Sequence, residues 1–128
     1  LDNMISYIRA WSLEYFDSTP VLCRVNTPEQ IPQQELTGDK RRNIFLCVKE
    51  SLNNVLKHAG ATEVRIDIRT DQQQLLIRIT DNGKGIDKEK LRQFGNGLKN
   101  IGRRMESIGG TFSIQNEGGT VTTLQLPL

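Results

Sequence analysis

Apolar residues recur along this chain in two rhythms, and each change of rhythm marks an element. Leu1, Met4, Ile5, Ile8, Trp11 and Tyr15 fall at helical spacing, so a first helix is expected, stopped by Asp17-Ser18-Thr19-Pro20. Val21 to Asn26 reads as a short strand and Thr27 to Gln34 as a Pro-containing loop. A long helix is expected from Asp39 to Ala59, capped by Thr37 or Asp39 and ended by Gly60. Two segments then alternate residue by residue: Glu63–Arg69, with Val64, Ile66 and Ile68, and Gln74–Thr80, with Leu75, Ile77 and Ile79. The Asp71-Gln72-Gln73 turn between them predicts an antiparallel hairpin. Leu98, Ile101, Met105 and Ile108 mark another amphipathic helix, stopped by Gly109-Gly110. Thr111–Asn116 and Thr120–Leu126, joined by Glu117-Gly118-Gly119, predict a closing hairpin. The order α, β, α, β, β, α, β, β implies an α+β fold, with helices on one face of a mixed, mostly antiparallel sheet. No internal repeat or low-complexity tract interrupts it.

The chain has 128 residues, the size of a single domain with one real core. Its 36% hydrophobic and 25% charged residues are ordinary for a globular protein. A net charge of +2 argues against nucleic acid or an anionic membrane as partner. The clusters Lys40-Arg41-Arg42 and Arg103-Arg104 read as solvated helix faces. Cys23 and Cys47 form neither a disulfide framework nor a metal-spaced pair, and read as reduced thiols in a cytoplasmic protein. No apolar run approaches the roughly 18 residues of a membrane span. The chain begins at Leu1 inside a helical pattern, so residues 1–128 are expected to be one domain of something longer.

The candidate chemistry sits where these elements end. Asp81-Asn82-Gly83-Lys84-Gly85-Ile86 follows a strand, yet no alternating strand follows to make Asn82-Gly83 a hairpin turn. A calcium loop fails too, because Ile86 and Arg92 stand where Gly and Glu are needed. A plain surface loop remains open on this stretch alone. On the long helix, Ile44, Val48, Leu52, Val55 and Ala59 form the core stripe, while Glu50, Asn54, Lys57 and His58 share another arc. Asn is a poor helix former, and an Asn four residues after a Glu suits a hard cation such as magnesium, which takes oxygen ligands and needs few protein groups. An exposed polar face without a ligand fits the same residues, and Lys57 and His58 also read as partners of the helix C-terminus. Gly95-Asn96-Gly97, just before the next helix, offers backbone N–H groups to an anion, or else a flexible helix entry. Neither GxxxxGK[ST] nor GxGxxG is present, since Asn100 stands where the latter needs its third glycine.

Glu50-x-x-x-Asn54, Asp81-x-Gly83-x-Gly85, Gly95-x-Gly97-Leu98 and Gly118-Gly119-Thr120 occur in this order. Together they resemble the asparagine box and three glycine boxes of the Bergerat-type ATPase fold shared by gyrase, the large heat-shock chaperone, sensor histidine kinases and MutL. The phrase KESLNNVLKHA looks like the catalytic domain of bacterial two-component sensor histidine kinases of the nitrate-sensor and thermosensor type. The resemblance implies a two-layer α/β sandwich of about three helices and about five strands. It implies that Asp81 accepts a hydrogen bond from the adenine amino group, with Gly83 leaving room for the base and Thr120 supporting that contact. Gly85 would begin a lid running from Ile86 to Asn96, and Gly95, Gly97 and Leu98 would lie against the phosphates. Asn54 would bind magnesium, Lys57 would reach phosphate and His58 would pack by the nucleotide. Glu50 matches the general base of the gyrase-like members.

The implied activity is an ATP-dependent protein histidine kinase that donates the γ-phosphate of Mg-ATP to a histidine on a dimerisation domain, with a response regulator downstream. The full-length protein would be a homodimer, and this part a cytoplasmic domain of a membrane-bound sensor with no direct membrane contact. The helical hairpin carrying the phosphoacceptor is absent, since Leu1 to Phe16 contains no His, so the chain is not expected to act alone. An anti-sigma-type serine kinase of the same fold and a nucleotide-binding module without catalysis are the competing readings.

Overall fold

The computed structural model describes residues 1–58, 60–71, 73–84, 97–116 and 118–128, with the side chain at position 58 outside the description. The helices are α1 (Asp2–Asp17), α2 (Gly38–His58) and α3 (Gly97–Ser107). The strands are β1 (Leu22–Asn26), β2 (Glu63–Asp71), β3 (Gln74–Asp81), β4 (Thr111–Asn116) and β5 (Thr120–Pro127). They form one sheet in the order β1-β2-β3-β5-β4. The β1–β2 pair is parallel, as a strand–helix–strand crossover through α2 allows, and the other pairs are antiparallel.

Alternation along the strands decides which face of the sheet the helices cover. Val64, Ile66 and Ile68 of β2, Leu75, Ile77 and Ile79 of β3, and Leu124 and Leu126 of β5 are buried. Between them Arg65, Arg69, Arg78 and Gln125 point the other way and are exposed or half-buried. Ile44, Val48, Leu52 and Val55 of α2 pack on the inner face with Ile101 and Met105 of α3. Ala59, the last member of the expected stripe, lies outside the described residues.

The helix ends follow local chemistry. Thr37 Oγ1 accepts from the Lys40 N–H at 3.3 Å, so Thr37 is the cap that starts α2. Gly109, at φ +83°, ends α3, and the Gly110 N–H turns back to the Met105 carbonyl at 2.8 Å. In α1 the apolar set divides. Met4, Ile5, Ile8 and Phe16 enter the core, whereas Trp11 and Tyr15 stay half-buried on the flank. There they stack with centroids 4.9 Å apart, and Trp11 meets Phe45 of α2 edge-on at 5.4 Å.

Candidate functional site

The carboxylate that ends β3 is buried, with Asp81 at 5% exposure. Its Oδ1 accepts the backbone N–H groups of Gly83 at 2.8 Å and Thr120 at 3.3 Å. Its Oδ2 accepts no hydrogen bond from any described residue. Burial raises the Asp81 pKa, and the two backbone donors act in the opposite direction. The result is a carboxyl group fixed by one oxygen, with the other unpaired among the described residues.

Two neighbours complete this corner. Gly119, at φ +153°, lies so close to the β3 end that an added Cβ would stand 2.9 Å from the Asp81 carbonyl carbon and 3.2 Å from Asn82 Cα. Only glycine fits there. Asn82, given no role of its own by the sequence reading, is a clamp. Its Oδ1 accepts from the N–H groups of Thr62 at 2.9 Å and Glu63 at 3.0 Å, and its Nδ2 donates to Thr62 Oγ1 at 2.9 Å. Asn82 thereby ties the end of β3 to the start of β2. An Asx motif after a strand was the available signal, but it does not name its partner.

Across the inner face, α2 brings Glu50 against the first residue of α3. A Cβ on Gly97 would overlap the Glu50 carboxylate and stand 3.2 Å from its Cδ. One turn on, Asn54 is half-buried and makes no hydrogen bond among the described residues. Its neighbour Asn53 is committed, because its Oδ1 accepts the Tyr15 hydroxyl at 3.1 Å. Of the two asparagines, Asn54 is the one whose side-chain amide has no partner among the described residues. Lys57 is exposed on the same helix, and Leu98 is half-buried against the core. Thr120 is buried and contributes its backbone N–H.

Gly85, Ile86 and Gly95, with the rest of the expected lid, lie outside the described residues, as does the side chain of His58. Sequence reasoning missed a cleft of about 370 Å³ lined by Tyr15, Lys49, Glu50, Asn53, Asn100 and Arg104, with Leu46 and Ile101. Arg104, taken for a solvated residue, is half-buried there and donates to Asn43 Oδ1 at 3.3 Å. The two thiols are inert, burial holding each pKa at about 11.

The chain and its fold have counterparts among known proteins. Residues 39–128 match the family described as histidine kinase-, DNA gyrase B-, and HSP90-like ATPase. Sensor histidine kinase YvfT of Bacillus subtilis is 39% identical over 85 residues, which is 66% of this chain and 22% of that protein. Sensor protein VraS of Staphylococcus haemolyticus is 35% identical over 88 residues, 67% of this chain and 25% of that one. The chain thus spans about a quarter of the length of these relatives. Among solved structures, the histidine kinase domain of the blue-light activated kinase of Erythrobacter litoralis EL346 superposes with TM-score 0.79 at 19% identity, over 98% of this chain and 61% of that one. The catalytic domain of histidine kinase ThkA gives TM-score 0.78 at 16% identity, over 99% of this chain and 92% of that one.

Proposed function

The chain belongs to the histidine kinase-, DNA gyrase B- and HSP90-like ATPase family, and from that premise we propose that it is the ATP-binding catalytic domain of a two-component sensor histidine kinase. The phrase KESLNNVLKHA supports the nitrate-sensor and thermosensor type. Residues 1–128 would be that one domain of a homodimeric, membrane-bound sensor, facing the cytoplasm. Among the described residues no helix is long and apolar enough to cross a membrane.

The observation that carries this reading is the half-committed Asp81 carboxylate. Two backbone donors hold Oδ1, and Oδ2, which has no partner among the described residues, would accept from the amino group of adenine. Gly83 and Gly119 keep the Asp81 corner free of side chains. At the other end Asn54 would hold magnesium, Lys57 would meet phosphate charge, and the N–H groups at the start of α3 would face the phosphates. Bound Mg-ATP would supply the phosphoryl group and the charge neutralisation. The chain's own residues bind and orient, which is most of what phosphoryl transfer asks of a protein. Glu50, beside Gly97, would hold or accept a proton at the reacting end. The acceptor would be a histidine on the dimerisation domain, and the response regulator would follow.

Calorimetry with ATP and GTP tests the nucleotide site. Guanine puts a carbonyl oxygen where adenine puts its amine, so GTP would set an acceptor against a buried carboxylate. The expected discrimination is at least about 100-fold, in line with other sites that leave a buried polar group unpaired. Equal affinity for the two nucleotides would sink the adenine assignment.

A further inference from the structure

Glu50 stands at the proposed reacting end without a tether. It is half-buried, and its carboxylate takes part in no hydrogen bond or ion pair among the described residues. Lys49 and Arg104 line the same cleft, and neither pairs with it. A carboxylate left free in this way can take a proton, but no polar partner fixes where it does so. Its place must then come from the surfaces on either side, and small displacements of a reacting group are costly.

One of those surfaces is Gly97, the first residue of α3, where a Cβ would overlap the carboxylate. The other belongs to α1. Tyr15 lines the cleft together with Glu50. Burial, and after it the Glu50 charge, raises the Tyr15 pKa, so phenol and carboxylate lie within each other's field. No hydrogen bond joins them. The single hydroxyl proton goes instead to Asn53 Oδ1 at 3.1 Å. Asn53 is three residues after Glu50, so the two side chains project from one side of α2. The Tyr15 ring is anchored as well as its hydroxyl. It stacks on Trp11 with centroids 4.9 Å apart and meets Phe16 edge-on at 5.0 Å. An aromatic side chain has few rotatable bonds, and one held at both ring and tip is a fixed wall.

We propose that Tyr15 is a positioning residue for Glu50: anchored by Asn53 and Trp11, it walls the α1 side of the carboxylate and keeps it against Gly97. The inference rests on the kinase reading and deepens it. Helix α1 supplies none of the groups bonded to Asp81, yet it becomes part of the reacting end.

The test is a double-mutant cycle in the full-length kinase, read as histidine labelling. Tyr15→Leu removes the wall together with the bond to Asn53, and Tyr15→Phe removes the bond alone. At saturating ATP, Tyr15→Leu should slow labelling by about tenfold or more, and Tyr15→Phe by less. The ATP concentration giving half-maximal labelling should stay within about twofold of the parent in both. With Glu50→Gln already in place, Tyr15→Leu should slow the residual labelling no further, as expected of residues that act as a unit. The anchor is tested without touching Glu50. Asn53→Ala and Tyr15→Phe should slow labelling by similar factors, and the two together no more than either alone. Parent rates in Tyr15→Leu would overturn the proposal. So would an equal fold-loss with and without Glu50→Gln, which would give Tyr15 a route to the reaction that bypasses the carboxylate. A loss of ATP affinity equal to the loss of rate would also overturn it, by making Tyr15 part of the nucleotide site. Glu50→Gln at the parent rate would remove Glu50 from the reacting end and the role of Tyr15 with it. A parent kinase that binds ATP but labels no histidine would defeat the kinase reading itself, a failure visible before any variant is made.

Discussion

At the scale of single residues, Asp81 shows how one backbone arrangement sets both recognition and stability. With Oδ1 claimed by the Gly83 and Thr120 N–H groups, an amide in its place is oriented in advance. The amide oxygen must take those bonds, which turns the NH₂ toward the ligand. Asp81→Asn therefore meets adenine donor to donor, and ATP affinity should fall by about 10- to 100-fold while discrimination against GTP collapses. The same change should raise stability without nucleotide. Burial holds the Asp81 pKa above its ordinary 3.8, so the unfolded chain releases this proton at lower pH than the folded one. The associated stability is present below that ordinary value and is lost as pH rises through the folded-state pKa. The variant escapes the loss, so its melting temperature should exceed the parent's at neutral pH and the gap should narrow on acidification. Thermal melts across pH would check the sign. The place of Asp81 at the end of β3 was legible in the sequence because the strand alternation stops there, while the role proposed for it came from the resemblance. The clamp by Asn82 was not legible, because its three bonds run to residues about 20 positions away in sequence, a separation that local turn rules do not reach.

At the scale of elements, α2 sorts its polar residues by partner. Its apolar stripe was readable from helical periodicity, and so was the polar arc of Glu50, Asn54 and Lys57. Periodicity put Asn54, four residues after Glu50, on that arc but gave Asn53 no role, which only the Tyr15 hydroxyl on α1 supplies. That contact supplies a paired test. Asn54→Ala should abolish the magnesium dependence of ATP affinity, whereas Asn53→Ala should preserve it and cost about 1 kcal/mol of stability through the lost Tyr15 bond. Calorimetry with and without magnesium, beside denaturant melts, would reveal a reversal of the two roles. The glycines divide in a similar way. A Cβ on Gly97 meets the movable end of Glu50, so Gly97→Ala should leave stability within about 1 kcal/mol and displace the carboxylate from the reacting end. A Cβ on Gly119 meets fixed backbone at a positive φ, so Gly119→Ala should cost about 2 kcal/mol or more and loosen the Asp81 corner. Similar melting points for the two variants would contradict this division.

At the scale of the whole molecule, the fold class followed from the order of elements, but the site depended on a pairing the order does not dictate. The closing hairpin docks through β5, with Thr80 opposite Val121, and this sets Gly119 and Thr120 beside Asp81. Strand alternation says that β4 and β5 each have one inner face. It does not say which of them adds to β3, a choice made by long-range packing. The consequence is a candidate site whose described residues come from distant segments of one domain. His58 is the only histidine in the chain and the last residue of α2, four positions after the proposed metal ligand. On the proposed reading a residue of this helix would lie beside the nucleotide, whereas in-line transfer needs the attacking nitrogen opposite the leaving oxygen. Given radiolabelled Mg-ATP, the isolated chain should bind nucleotide and acquire no stable phosphohistidine. Supplied with the histidine-bearing domain of its own kinase, it should label that domain, and slowly, because separation removes the high effective concentration that a tether provides. Label on His58 would displace the reacting end from Glu50 and Gly97. Bound ATP with no transfer to that domain would leave a nucleotide-binding module, and label on a serine of another protein would point to the serine kinases of the same fold.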